Sequence, residues 1–137
     1  MAGYSGTPLP RKLGIKPGHA VAFPGAPPSF FTALGELPAE VRVKRRAAAP
    51  LDVVCAVFTA RAKPVRSLDR LATTIYPDGG LWIAWPKRAS EMATDITEDV
   101  VRELALATGL VDNKVCAIDH TWSGLRLVYR LRDRPRN

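Results

Sequence analysis

Disulfides, metal clusters and membrane spans have almost nothing to be built from in this sequence. Two cysteines, Cys55 and Cys116, and two histidines, His19 and His120, are scattered over 137 residues with no Cys-x-x-Cys spacing. Neither a disulfide framework nor a metal site is therefore expected. Each cysteine sits in an apolar run, VVCAVF or KVCAID, and reads as a small buried hydrophobe. No run approaches the roughly 18 apolar residues of a membrane span, and the opening MAGYSGTPLPRKLG lacks the apolar core of a signal peptide. A cytoplasmic protein with no membrane association is the expectation. Internal repeats, low-complexity tracts, a GxSxG elbow and the signatures of helix-turn-helix, RNA-recognition and zinc-finger domains are all missing.

What is present suits one packed domain. The hydrophobic share is 47% and the charged share 24%, and a chain of this length buries roughly two thirds of its extended surface, enough for a core without staples. The domain is expected to span residues 1–137, with a frayed polar tail from about residue 132. The net charge is +7. Residues 1–69 carry ten basic and four acidic side chains, residues 70–137 ten and nine, so the positive field belongs to the first half. It favours anionic partners: nucleic acid, an anionic membrane surface or a phosphorylated small molecule.

Strands and helices alternate. Leu9 and Leu13, between Thr7-Pro8 and Gly14, suit a short capped helix, and a Lys16-Pro17-Gly18 turn leads into a strand over 19–23. Ser29 is a candidate N-cap for a short helix carrying Phe30, Phe31 and Leu34 and ended by Pro38. Val41 to Lys44 alternates apolar and basic like an edge strand. Asp52 to Thr59 is apolar almost throughout, as a strand covered on both faces would be. A helix is predicted over 63–76, closed by the turn signal Pro77-Asp78-Gly79-Gly80, and a second apolar strand over 81–85. Thr97, Glu98 and Asp99 open the clearest helix, with Val100, Val101, Leu104 and Ala107 as its stripe and Gly109 as its stop. Two closing strands, 114–119 and 125–131, are joined by a loop too short for a parallel crossover. The predicted fold class is α/β: a Rossmann-like three-layer sandwich on a mostly parallel six-stranded sheet whose last strand is antiparallel.

This order of elements resembles the class I methyltransferase version of the Rossmann-like fold. KLGIKPGHAVAF, LDVVCAVF, YPDGGLWIAWPK and the closing hairpin look like its first, fourth, fifth and last strands. The whole chain more closely resembles a family of small actinobacterial proteins classed as domain-of-unknown-function family 3052. The residues carrying that likeness are GYSGTPLPRKLGIKPG at 3–18, WPKRAS at 85–90, TDITEDVVRELALATGLVDNKVCAID at 94–119 and WSGLRLV at 122–128. It implies fold and brings no activity with it. The methyltransferase likeness implies a glycine-rich turn after the first strand and an acid at the end of the second, to hold S-adenosylmethionine. The sequence has Pro24-Gly25-Ala26-Pro27-Pro28 at the first place and Lys44-Arg45-Arg46 at the second. No cofactor is therefore expected.

In an open α/β sheet the ligand crevice lies beyond the carboxyl ends of the strands. Gly25, Ser29, Arg61, Lys63, Lys87 and Arg88 form the candidate anion site there, with Arg45, Arg46, Thr59, Ser90, Asp119 and His120 at other strand ends. Asp119, His120 and Ser123 have the residue types of a hydrolase triad but fall within one hairpin turn, where the three cannot converge. Trp82 reads as core, and Trp85 and Trp122 as half-exposed stacking candidates. The expected function is a non-catalytic binding or interaction module with an anionic small molecule or a protein as partner. The alternatives are an enzyme or binder working on a phosphorylated or carboxylated small molecule at the strand ends, and nucleic-acid binding.

Overall fold

The computed structural model describes residues 7–46, 48, 50–59, 68–87, 94–118 and 121–130. Six strands form one sheet: β1 (Ala20–Ala22), β2 (Arg42–Lys44), β3 (Leu51–Val57), β4 (Ile75–Pro86), β5 (Leu110–Ala117) and β6 (Trp122–Tyr129), in spatial order β2-β1-β3-β4-β6-β5. The first four pair in parallel. β6 inserts between β4 and β5 and pairs antiparallel with both, so it is the one reversed strand. This is the predicted mixed sheet whose last strand is antiparallel.

Period-two alternation sends neighbouring side chains to opposite faces, and a separate core forms on each. On one face Ala20, Ala22, Val54, Leu81, Ile83 and Leu125 meet the helical segment 68–72 and helix α3 (Glu98–Thr108). On the other, Val21, Val53, Cys55, Trp82 and Ala84 meet helices α1 (Leu9–Lys12) and α2 (Pro28–Leu34). The Trp82 indole N–H donates to the Leu13 carbonyl at 3.0 Å and ties β4 to the end of α1. Tyr129 does the same on the opposite face, its hydroxyl donating to the Ala72 carbonyl at 2.7 Å. Among the described residues no helix is long and apolar enough to cross a membrane.

Helix α3 forms as predicted at its ends. The Thr97 hydroxyl accepts from the Val100 N–H at 3.3 Å, Glu98 and Asp99 lie against the positive end of the dipole, and Gly109 closes the helix at φ 83°. Its buried stripe is rotated from the predicted one: Val101 and Ala105 are buried, Leu104 partly so, and Ala107 is exposed. Arg102 spans Glu98 and Asp112 on the solvent side, where such pairs contribute little.

Several local expectations are corrected. Helix α1 starts after Pro8 with no side-chain cap, so Thr7 does not cap it. Ser29 is not the N-cap of α2 either: Pro27 holds that place, Ser29 lies inside the first turn, and Gly35 rather than Pro38 ends the helix. Pro77-Asp78-Gly79-Gly80 is no turn between elements but lies within β4, whose pairing jumps from Leu51↔Ile75 to Val53↔Gly80. The turn residues make a bulge because Gly79 passes so close to β3 that a Cβ there would stand 2.8 Å from the Asp52 carbonyl oxygen. The predicted helix accordingly gives way to strand by Ile75. The closing hairpin is tighter than predicted, with Trp122, Ser123 and Gly124 already paired in β6.

Candidate functional site

Beyond the carboxyl ends of β1 and β3 lies a cavity of about 340 Å³ lined by Pro24, Gly25, Pro27, Ser29, Val57, Phe58, Thr59, Arg70, Leu71 and Trp122. The turn after β1 builds one wall. Gly25 takes φ 75° there, the Ala26 N–H donates to the Phe23 carbonyl at 3.2 Å, and the Val57 N–H donates to the Pro24 carbonyl at 2.9 Å. The turn is thus sewn to the end of β3. Behind it the rings of Phe23, Phe30 and Phe31 pack with centroids 5.6–6.1 Å apart and seat α2. Phe58 continues the β3 ladder, its N–H on the Ala84 carbonyl at 2.9 Å, and the Thr59 carbonyl accepts from the Thr94 hydroxyl at 2.6 Å. The chain on both sides of the cavity is therefore fixed by hydrogen bonds.

Among the described residues the lining is an apolar slot with two hydroxyls, Ser29 and Thr59, and one cation, Arg70. Among the described residues lining it there is no carboxylate, imidazole or thiol, and the two hydroxyls are its groups of nucleophile type. Gly25 and Ser29 of the predicted anion site line the cavity. Lys87 does not: its N–H donates to the Thr121 carbonyl at 2.7 Å, and its charge bears on Cys116 instead. Arg61, Lys63 and Arg88 lie outside the described residues, as do Ser90, Asp119 and His120. Arg70 was missed because it lies inside a helical pattern, where an arginine reads as solvated surface. Trp85 and Trp122 are 5% and 2% exposed, so neither is the half-exposed stacking platform predicted. Both are core residues, held by pairing at the β4–β6 end.

The two thiols differ. Cys55 is fully buried under α1 and α2, and desolvation pushes its pKa far up, with Cys116 adding to the shift. Cys116 is only half-buried, contrary to expectation, and opens on a second recess of about 460 Å³ lined by Arg11, Lys12 and Lys114 among others. Burial raises its pKa as well, and Lys12, Lys114 and Lys87 pull it back. A thiol reagent is expected to modify Cys116 about tenfold or more faster than Cys55 in the native protein; equal rates would refute the packing of β3. Both thiols are held neutral by the fold, so the stability they contribute is intact below the ordinary thiol pKa of about 8.5 and falls as pH rises past it.

No family model matches the chain, and no curated protein matches it. Solved structures do. The fold is similar to an S-adenosylmethionine-dependent methyltransferase from Aquifex aeolicus, with TM-score 0.63 and 15% identity over 85% of each chain. It is similar to magnesium protoporphyrin IX methyltransferase from Synechocystis PCC 6803, with TM-score 0.59 and 11% identity over 89% of this chain and 74% of that one. An O-methyltransferase from neocarzinostatin biosynthesis matches 94% of this chain with TM-score 0.60 and 14% identity, and this chain spans 51% of it. At these identities the likeness carries the methyltransferase-like fold and no activity.

Proposed function

We propose that this chain is a small-molecule binding domain on a methyltransferase-like fold, taking into the strand-end cavity a ligand with a flat apolar body and one carboxylate or phosphate. The observation that carries the reading is the composition of that cavity among the described residues: Pro24, Pro27, Val57, Phe58, Leu71 and Trp122 supply apolar wall, and Arg70 supplies a cation. The two free cysteines support a reducing, cytoplasmic setting. The phrases at 3–18, 85–90, 94–119 and 122–128 support placing it in the small actinobacterial family named above.

S-adenosylmethionine, which the fold suggests, does not fit the residues present. Pro24, Pro27 and Pro28 have no N–H to offer, and the Ala26 N–H is spent on Phe23. The face of Gly25 that a ligand would approach is filled by the Val57 carbonyl, 2.5 Å from where a Cβ would stand. At the end of β2, where an acid would hold the ribose, the chain reads Lys44-Arg45-Arg46, all exposed. A ligand carrying a sulfonium and an ammonium against one carboxylate is repelled there.

The test is calorimetric titration with indole-3-carboxylate and with S-adenosylmethionine. The carboxylate is expected to saturate and to weaken about tenfold in Arg70→Met, the loss of one charge-assisted contact. S-adenosylmethionine is expected to leave the melting temperature unchanged at millimolar concentration, since only a ligand of the native state stabilises it. Saturable micromolar binding of S-adenosylmethionine would overturn the reading.

A further inference from the structure

The densest run of positive charge in the first half of the chain lies on β2 and the residues that follow it, not at the strand-end cavity. Register pairs Arg42 with Ala20 and Lys44 with Ala22, and alternation puts both cations on the sheet face where those alanines point. Arg45 and Arg46 follow at once. The chain then reaches β3, beyond β1 in the sheet, through residues 45–50. A parallel connection of this kind normally runs to about 10–12 residues or more and carries a helix. At six residues this connection is shorter than that. Beside it lies a basin of about 490 Å³ whose lining includes Ala20, the four cations and Tyr76. It shares no lining residue with the strand-end cavity.

Its electrostatics are one-sided. Among the described residues no ion pair joins Arg42, Lys44, Arg45 or Arg46 to a carboxylate. Asp52, at the start of β3, is engaged elsewhere: its Oδ2 accepts from the Ala20 N–H at 2.8 Å, and its Oδ1 lies 4.0 Å from His19. All four cations are exposed, Arg42 and Lys44 on the edge strand and Arg45 and Arg46 just after it, and Tyr76 is 39% exposed at the opposite rim. Guanidinium groups grip phosphate oxygens in pairs, and an aromatic face is a stacking surface for a base. From Arg42 to Arg46 the backbone spans roughly 13 Å. That run matches a short polyphosphate and is too short for the track of about 4–16 nucleotides that a single-strand binding domain follows.

We propose that this basin is a second ligand site, for a nucleoside polyphosphate, with the phosphates on Arg42, Lys44, Arg45 and Arg46 and the base on Tyr76. All five side chains are exposed, so single substitutions leave the core intact; circular dichroism checks this. Adenosine triphosphate is titrated into wild type, Arg45→Ala, Tyr76→Leu and, as a control in the same half of the chain, Lys16→Ala, at two salt concentrations. Saturation at one nucleotide per chain is expected. Arg45→Ala should weaken it about tenfold or more and Lys16→Ala less than about twofold. Tyr76→Leu should weaken the nucleotide about fivefold or more and leave inorganic tripolyphosphate unchanged. Equal losses in Arg45→Ala and Lys16→Ala would reduce the basin to a diffuse field and overturn the site. Tripolyphosphate bound as tightly as the nucleotide would overturn the role of Tyr76. A short oligothymidylate bound more tightly than the triphosphate would replace the proposal with a nucleic-acid surface.

Discussion

Trp82→Ala is expected to lower the unfolding free energy by about 3–5 kcal/mol, the range for truncating a large buried aromatic. Trp82 is fully buried at the centre of the face that receives α1 and α2. Its ring lies against β6 so closely that a Cβ on Gly124 would stand 3.1 Å from Cε3, and its N–H holds the Leu13 carbonyl at 3.0 Å. Removing it leaves a void between α1 and the sheet and orphans a buried carbonyl, two penalties that add. Domains of this size are stable by only about 5–15 kcal/mol, so the variant loses a large share of its stability. Urea denaturation measures the loss, and Trp82→Phe should cost less, since it keeps most of the volume and loses the hydrogen bond. A cost below about 1 kcal/mol for Trp82→Ala would mean that α1 does not pack on β4 as described.

The elements that were legible in the sequence are those whose pattern has one structural solution. The unbroken apolar runs VVCAV and LWIAW carry no helical stripe, and lie in β3 and β4 under cover on both faces. Thr97 with Glu98 and Asp99, and Gly109 after Thr108, marked the ends of α3 because caps are local chemistry. Illegible features depend on contacts far along the chain. Pro77-Asp78-Gly79-Gly80 has the composition of a turn, and only the passage of β4 beside Asp52 makes it a bulge. Trp85 and Trp122 stand at strand ends in the sequence, yet pairing of Pro86 with Trp122 and Trp85 with Ser123 draws both into the core. At the site, Gly25 and Ser29 could be found because the end of β1 could be found. Arg70 could not, since its place on the cavity depends on how segment 68–72 packs across the sheet. Lys87 follows its strand as predicted, but position along a strand does not say to which side a side chain leaves it.

Gly25→Ala separates two explanations of the same glycine. In a cofactor-binding turn a glycine is needed because the ligand approaches the backbone, and alanine there would abolish binding while the fold stood. Here the space is taken by the protein itself. The residue sits at φ 75°, a region costing an L-residue roughly 1–2 kcal/mol. The added methyl would stand 2.5 Å from the Val57 carbonyl oxygen, well inside contact distance. That oxygen belongs to backbone, at the end of a strand paired with β4 through Val57↔Ala84 and hydrogen-bonded to Pro24 through its own N–H, so it cannot swing aside as a flexible side chain would. The turn must instead lift from β3, breaking the Val57 N–H bond and opening the cavity wall. A loss of about 2–4 kcal/mol is expected, strain and a lost buried hydrogen bond together. Ser29→Ala, in the same wall but with no capping bond to lose, should change stability by less than about 0.5 kcal/mol. Thermal denaturation of the two variants decides: a Gly25→Ala protein as stable as wild type would return the turn to the ligand and, with it, the methyltransferase reading of the cavity.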